Sequence, residues 1–407
     1  MNALAPRFQA EAAAENRPLR ICFPFSGDSV GGSHISVRGL MTNLDPALYR
    51  PIVVTEVPDG MIARFFAGQE RMDDPGAHGL FVPGEAFTLR KFTRTLAGVL
   101  PRARFLRRQR IDIVHVNDGR SSANWALAAR LAGTRLIWHH RGDPRALGLR
   151  LLAPALAHRV LAVSAFALPP EGIWSARDKA SVVHSPFDTG ISIDRAKARD
   201  TLIRELGVTP DTLLLGYFGA FVPRKRPLLF VDMMARLRGL VDRPVMGVMF
   251  GEARLPAMDS ALRQHIAGKG VAGQVKLMGY RTPGPFWIAA CDQLVVPAVG
   301  EPFGRTLVEA MLVGTPIVAA RSGGNIEALE GGVGLLVEPD DADALARACA
   351  ELGARGKGAG KAAGEAAMDM GREMALAAQA DARRRFSEAT HCARVSAIYE
   401  QLRTSGA

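Results

Sequence analysis

Apolar residues recur along this chain in two alternating patterns. Some form short, nearly continuous runs bounded by glycine, proline or charged residues, and others recur at three- and four-residue spacing. The first pattern is that of strands buried on both faces, the second that of helices packed over them. In the first half the runs predict strands at residues 19–23, 51–54, 112–116, 134–138, 160–163 and 181–184. Helical spacing there predicts helices at 34–43, 91–108, 122–131 and 149–157. The breaker-rich stretch Pro186-Phe187-Asp188-Thr189-Gly190 then predicts a linker. A second series begins near Asp194, with strands at 213–218, 245–250, 275–277, 293–296, 317–319 and 335–337. Residues 353–364, rich in Gly, Ala and Lys, read as a loop, and 370–385 and 387–402 as terminal helices. Regular alternation of this kind implies mostly parallel sheets covered on both faces, and two series imply two doubly wound α/β domains.

Composition adds limits to this picture. A chain of 407 residues with 48% hydrophobic positions can bury two full cores. Cys22, Cys291, Cys349 and Cys392 are widely spaced, which predicts buried reduced thiols in place of a disulfide frame or a zinc site. Residues 1–20 lack the apolar core of a signal peptide, and no run approaches the ~20 apolar residues of a membrane span. These features predict a soluble, cytoplasmic protein. The net charge of +11 calls for an anionic partner or surface. Arg90, Lys91, Arg94, Arg102, Arg104, Arg107, Arg108 and Arg110 interleave there with Phe92, Leu96, Val99, Leu100, Phe105 and Leu106, with no acid among them. That is the pattern of a basic amphipathic helix, suited either to an anionic membrane face or to packing on the sheet with a solvated basic side. Nucleic acid fits less well, because no binding motif accompanies the block and aromatics make up only 6% of the chain.

The densest chemistry lies in Gly300-Glu301-Pro302-Phe303-Gly304-Arg305-Thr306-Leu307-Val308-Glu309-Ala310, between two predicted strands. A glycine-containing loop that opens a helix leaves N–H donors free for an anion. Glu301 in the loop and Glu309 in the helix would repel phosphate but accept hydrogen bonds from sugar hydroxyls. Together these features predict a nucleotide-sugar pocket. A second cluster, Gly219-Ala220-Phe221-Val222-Pro223-Arg224-Lys225-Arg226-Pro227, places three cations after a strand and before a helix, where they suit a diphosphate. Gly27-Asp28-Ser29-Val30-Gly31-Gly32-Ser33-His34 repeats the strand, glycine loop and helix order near the start. His139-His140-Arg141-Gly142-Asp143 follows another strand, and His115 lies inside one, where a structural role is expected.

The run from Glu301 to Ala319, continued by Gly323-Gly324-Asn325-Ile326-Glu327 and by Gly334-Leu335-Leu336-Val337 and Pro339, resembles the signature of the retaining glycosyltransferases of family 4. The resemblance is close from about 182 to 346 and looser before. It implies the GT-B architecture, two Rossmann-like domains facing a central cleft. The domains would be an acceptor-side domain at 1–186, a nucleotide-sugar domain at 187–385 and a last helix at 386–407 crossing back to the first. It implies transfer of a hexosyl group, with retention, from a nucleotide-diphosphate sugar to a glycan or lipid-linked acceptor in cell-envelope polysaccharide assembly. No metal or other cofactor is implied. By the same resemblance Glu301, Lys225 and His140 are the expected catalytic residues. Glu309, Arg224, Gly304, Arg305, Thr306, Leu307, Gly219 and Gly32 are the expected donor contacts, with Glu309 on the ribose hydroxyls. Ala220 departs from the family's arginine, for which Arg224 or Arg226 is a candidate substitute. The same expectations include peripheral contact with the inner membrane face through Arg90 to Arg110. A sugar-nucleotide epimerase and a non-enzymatic sugar-nucleotide binder are the alternatives.

Two further motifs are set aside. Asp341-Ala342-Asp343 has the spacing of a metal-binding pair, but Asp340 to Leu345 reads as a helix cap with acids in the first turn. Gly331-Gly332-Val333-Gly334 leads into a strand, the reverse of a dinucleotide fingerprint.

Overall fold

The computed structural model describes residues 17–76, 88–353 and 361–404, with the side chains of 89–92 and 361–368 left out. Residues 1–20 and 353–364, named above, thus lie partly outside the described residues, as do the side chains of Arg90, Lys91 and Phe92. The chain divides into two compact units, Met1–Pro186 with Glu388–Ala407, and Phe187–Ser387.

The first unit runs β1 (Leu19–Phe25), α1 (Gly32–Asn43), β2 (Tyr49–Thr55), α2 (Met61–Phe65), β3 (Arg71–Asp73), α3 (Leu89–Ala97) and α4 (Val99–Arg108). It continues with β4 (Ile113–Val116), α5 (Gly119–Ala132), β5 (Arg135–His140), α6 (Leu147–Leu151), α7 (Ala153–Leu156), β6 (Arg159–Ala162) and β7 (Ala180–Val182). Its seven strands are parallel in the order β3-β2-β1-β4-β5-β6-β7. The order reverses between β1 and β4, which makes their carboxyl ends the topological switch point, where doubly wound sheets bind ligands.

Alternate residues of each strand feed separate cores. Cys22, Val114, Leu136 and Val160 meet Val99, Ala103 and Leu106 of α4, Trp125 of α5, Leu149 of α6 and Ala153 of α7. Ile21, Phe23, Ile113 and Leu161 meet α1 on the opposite face, together with Val395, Tyr399 and Leu402 of a last helix at Glu388–Thr404.

The second unit runs α8 (Arg195–Leu206), β8 (Leu213–Phe218), α9 (Pro227–Leu237), β9 (Val245–Phe250), α10 (Pro256–Gly268), β10 (Val275–Gly279) and α11 (Gly284–Ala290). Then come β11 (Gln293–Val296), α12 (Arg305–Val313), β12 (Ile317–Ala320), α13 (Gly324–Ala328), β13 (Leu335–Val337), α14 (Ala342–Gly353) and α15 (Lys361–Arg385); the last helix above is α16. The sheet is again parallel, in the order β10-β9-β8-β11-β12-β13, and reverses between β8 and β11. Lys361 to Gly364, expected as loop, begin α15.

The single basic helix expected over 91–108 is two helices, because Gly98 intervenes as the N-cap of α4 and Pro101 falls in its first turn, where a missing N–H costs nothing. Nor are all its cations solvated. Arg102 is 0% exposed and pairs through Nε and Nη2 with both oxygens of Asp74, at 2.8 and 2.9 Å. Gly76 and Gly98 make room for it, since a Cβ on either would lie within 2.5 Å of the guanidinium. Removing one partner of a buried pair strands the other charge at a cost of about 3–5 kcal/mol. Arg102→Ala should therefore lower the unfolding free energy of the first unit by that order in urea titration. Arg104→Ala, at an exposed position of the same helix, should change it by no more than about 0.5 kcal/mol.

Candidate functional site

The second unit gathers its charged residues at the switch point. After β8 the chain turns at Gly219, whose φ of +145° is open to glycine, and then makes a short 3-10 turn at Pro223–Lys225. Arg226, at φ +52°, closes that turn and opens α9. After β11 the neighbouring loop reaches Gly300 and Glu301, and the N–H of Val299 donates to the carbonyl of Arg224 at 3.0 Å, tying the two loops together. The carboxylate of Glu301 thereby receives Arg224 Nη1 at 2.6 Å and Lys225 Nζ at 2.9 Å on one oxygen. Burial pushes this carboxyl up, but Lys225 and then Arg224 outweigh it and hold it below its ordinary range.

Glu309 lies further along α12, half-buried and opposite the start of α11, where a Cβ on Gly284 would sit 3.6 Å from its Oε2. Burial raises its carboxyl above the ordinary value, opposed in part by Arg305 and Lys225. Lys225 thus acts on both carboxylates. At the start of α12, Gly304 is a left-handed N-cap at φ +78° with no side chain to cap the helix, and no acid occupies the first turn. The positive end of the helix faces the Glu301 loop.

Other expected contacts take different positions. Leu307 is fully buried and its N–H is spent on Gly304 at 3.0 Å, so its side chain has no route to a ligand. Arg305 lies 4.2 Å over the ring of Phe187. Thr306 is half-buried in the first turn. Arg226, considered as a substitute for the arginine missing at Ala220, is instead held by Asp340 at 2.6 and 3.1 Å. Of the two arginines, Arg224 is the one that reaches the loop. Asp341 accepts from the N–H of Ala344 at 2.8 Å and caps α14. Among the described residues, no group of three or more His, Cys, Asp or Glu side chains is arranged to hold a metal.

Sequence reading quoted Gly323, Gly324 and Asn325 without giving them a task. They clamp the loop. Gly324 N–H donates to the Glu301 carbonyl at 2.7 Å, and Ser322 Oγ accepts from Gly300 N–H at 3.0 Å. Asn325 Nδ2 donates to Ala298 and Ala320. A Cβ on Gly323 would fall 2.6 Å from the carbonyl oxygen of Glu301, and one on Gly324 equally close to that of Pro302. The glycine pair twenty-odd residues after the acidic loop was the available signal.

In the first unit, Gly31 and Gly32 open α1 at the β1 and β4 switch point, and a Cβ on Gly31 would meet nothing within 4 Å. His34 turns back to accept from Gly31 N–H at 3.1 Å and stacks on Phe25. His140, at the carboxyl end of β5, is buried and its Nε2 bonds the Asp143 carbonyl at 2.9 Å. Its ring organises its own loop. Its neighbour His139 faces the other way, into a buried stack where His115 Nε2 lies 3.2 Å from its Nδ1 and Tyr399 Oη 2.7 Å from His115 Nδ1. His115 is structural, as its place inside a strand implied.

Two doubly wound parallel sheets define the GT-B glycosyltransferase fold, and the described chain matches solved structures of it. Anabaena HepE, solved with UDP and glucose, superposes with a TM-score of 0.73 over 94% of this chain and 100% of that one, at 22% identity. Sucrose-phosphate synthase from Thermosynechococcus elongatus gives 0.71 over 95% and 100%, at 18% identity. At the sequence level, residues 212–354 match the family model of glycosyl transferases group 1. The lipopolysaccharide core biosynthesis mannosyltransferase LpsB of Rhizobium meliloti is 37% identical over 36% of this chain and 43% of its own length. The D-inositol 3-phosphate glycosyltransferase of Kribbella flavida is 35% identical over 44% of each. The matched part is thus less than half of these curated relatives. The fold is thus GT-B, and residues 212–354 are similar to the glycosyl transferases group 1.

Two outcomes test this geometry. A carboxyl held below its ordinary value of 4.5 contributes stability that is complete above that pH and is lost as pH falls through the folded value. Glu309 has the opposite sign, since its ionised form costs stability that is recovered as pH falls through its raised value toward 4.5. Urea unfolding at stepped pH should show Glu301→Gln flattening the decline below 4.5, and Glu309→Gln removing a gain above it. Slope changes of the same sign in both variants would contradict the site's electrostatics. Gly324→Ala should displace the loop at roughly 1–3 kcal/mol. Calorimetry should then find nucleotide affinity lost in a folded protein, and unchanged affinity would mean that the clamp has no bearing on the site.

Proposed function

We propose that the protein is a retaining, family 4 hexosyltransferase that moves a sugar from a nucleotide-diphosphate sugar to a hydroxyl of a glycan or lipid-linked acceptor in cell-envelope polysaccharide assembly. The observation that carries this reading is the pairing of Arg224 and Lys225 with Glu301 beside the uncapped start of α12. Cations and free helix N–H groups suit a diphosphate. When the donor's diphosphate takes up Lys225 and Arg224, Glu301 is released to accept hydrogen bonds from the transferred sugar. Glu309, one helical turn on, is suited to the ribose diol, and its raised carboxyl is stabilised once those hydroxyls donate to it.

Bond breaking places negative charge on the leaving diphosphate, and Lys225 with the α12 start stabilises it as it develops. The acceptor hydroxyl gives its proton to that phosphate as its oxygen bonds the sugar carbon on the same face, which keeps the anomeric configuration and requires no side-chain nucleophile. His140 as a catalytic residue and Gly32 as a donor contact come from the first unit in this reading, and the donor needs no resident cofactor. The named relatives act as transferases, which does not favour an epimerase. The basic segment from Arg90 to Arg110 is proposed to bring a cytoplasmic enzyme to the inner membrane face by charge, where lipid-linked acceptors lie.

Steady-state assay with a panel of nucleotide sugars tests the reading. Lys225→Ala should lower kcat by ~10²–10³, as removal of a preorganised charge does. Glu309→Ala should raise donor KM by a factor matching about 1.5–3 kcal/mol. Arg226→Ala, at a residue committed to Asp340, should leave both nearly unchanged. A folded wild type that binds donor but releases no nucleoside diphosphate would favour the non-enzymatic alternative.

A further inference from the structure

The chain's excess of positive charge and a group of strongly exposed apolar side chains both fall in the first unit. Residues 89–156 hold fourteen lysines and arginines against Asp112, Asp118 and Asp143, a net of +11 that equals the whole chain's +11. Two of those acids are committed, Asp112 to Arg17 and Asp118 to capping α5. The helices of this segment whose packing is described, α4 to α7, cover one face of the sheet. At the α6 end of that layer stands an apolar crest, with Leu147 71%, Leu151 59% and Leu152 37% exposed. The β6–β7 connection adds Ile173 at 110% and Trp174 at 62%.

The crest is built and held in place. Trp174 Nε1 donates to the Leu151 carbonyl at 3.3 Å, which joins the two segments. Within that connection, Ser175 Oγ donates to the Pro170 carbonyl at 2.6 Å and Arg177 Nη1 to that of Pro169 at 3.2 Å. Lys179 Nζ reaches the carbonyls of Pro154 and Ala157 at 2.6 and 2.9 Å. Exposed apolar side chains grouped on two linked segments mark an interaction site. A projecting isoleucine with a tryptophan beside it, backed by an arginine-rich layer, has the amphipathic make-up of a surface that enters the headgroup boundary of an anionic bilayer.

We propose that Leu147, Leu151, Leu152, Ile173 and Trp174 insert into the hydrocarbon boundary of an anionic membrane, with the basic helical layer held against its headgroups. The inference rests on the lipid-linked acceptor reading and adds an apolar contact at this crest to the charge contact of the basic helices. Charge steers the approach and is screened by salt, whereas apolar insertion persists.

Co-sedimentation of the full chain with phosphatidylcholine vesicles containing phosphatidylglycerol, at low and high salt, tests it. The wild type should partition at both salt levels, and vesicles should shift tryptophan emission to the blue. Ile173→Ser with Trp174→Ser should weaken partition by roughly tenfold to a hundredfold at both salt levels. Arg107→Ser with Arg108→Ser should weaken it at low salt only. Donor turnover in vesicle-free buffer controls for folding, and Leu147→Ser with Leu151→Ser provides a second pair should the first fail to fold. A wild type that ignores vesicles, or crest variants that bind as well as it does, would overturn the proposal. So would a dimer in sedimentation velocity that the same substitutions dissolve, since the crest would then be a self-association face. Partition in a protein that turns over no donor would leave the docking standing and sink the transferase reading alone.

Discussion

A carboxylate with a side chain only 11% exposed, touched by two cations on a single oxygen, needs a replacement partner if both are drawn away. Glu301 is in that position, and the local architecture of the second unit is arranged around it. The turn after β8 brings the cations, and the loop after β11 brings the acid. The sheet order makes those strands neighbours although 76 residues separate Lys225 from Glu301. The glycines of the α13 start press the acidic loop into place from the other side. An anion arriving here meets cations that already have a partner, so its binding is an exchange of partners in which Glu301 becomes available to something else.

The strands were the most legible part of the chain. Those at 213–218, 245–250, 293–296 and 335–337 fall where the apolar runs placed them, because a strand buried on both faces needs an unbroken run and the flanking loops need breakers. The edge strand Arg71–Asp73 was missed because its three residues, Arg-Met-Asp, carry no apolar run. The helix over 91–108 was drawn as one because its 3.6-residue period survives the interruption at Gly98. Arg102 reads in sequence as one more surface cation, and only the approach of Asp74, 28 residues earlier, reveals it as the centre of a buried pair.

The candidate site was legible in its residue types and less so in its partnerships. Glu301, Arg224 and Lys225 were singled out one by one, but nothing in a linear pattern states that the acid and the cations neutralise each other before any ligand arrives. Arg226 has the same chemistry as Arg224 and sits two residues away, yet a left-handed backbone turns it to Asp340. His139 and His140 differ only by the alternation of a strand, which sends one ring into the core and leaves the other to its own loop. Such choices are made by sheet order and backbone handedness, which a residue's neighbours in sequence do not report.

The chain enters and leaves the second unit at one place. Phe187 N–H donates to the Phe386 carbonyl at 2.9 Å, and Phe187 and Ser387 form a bridge. The last helix, α16, then belongs to the first unit's core through Val395, Tyr399 and Leu402. The second unit is therefore a continuous length of chain inserted into a first unit that is itself discontinuous. It can be excised as a single piece, whereas the first unit must be rejoined across the gap to be whole. A protease that nicks only one of the two crossings leaves the halves covalently joined by the other.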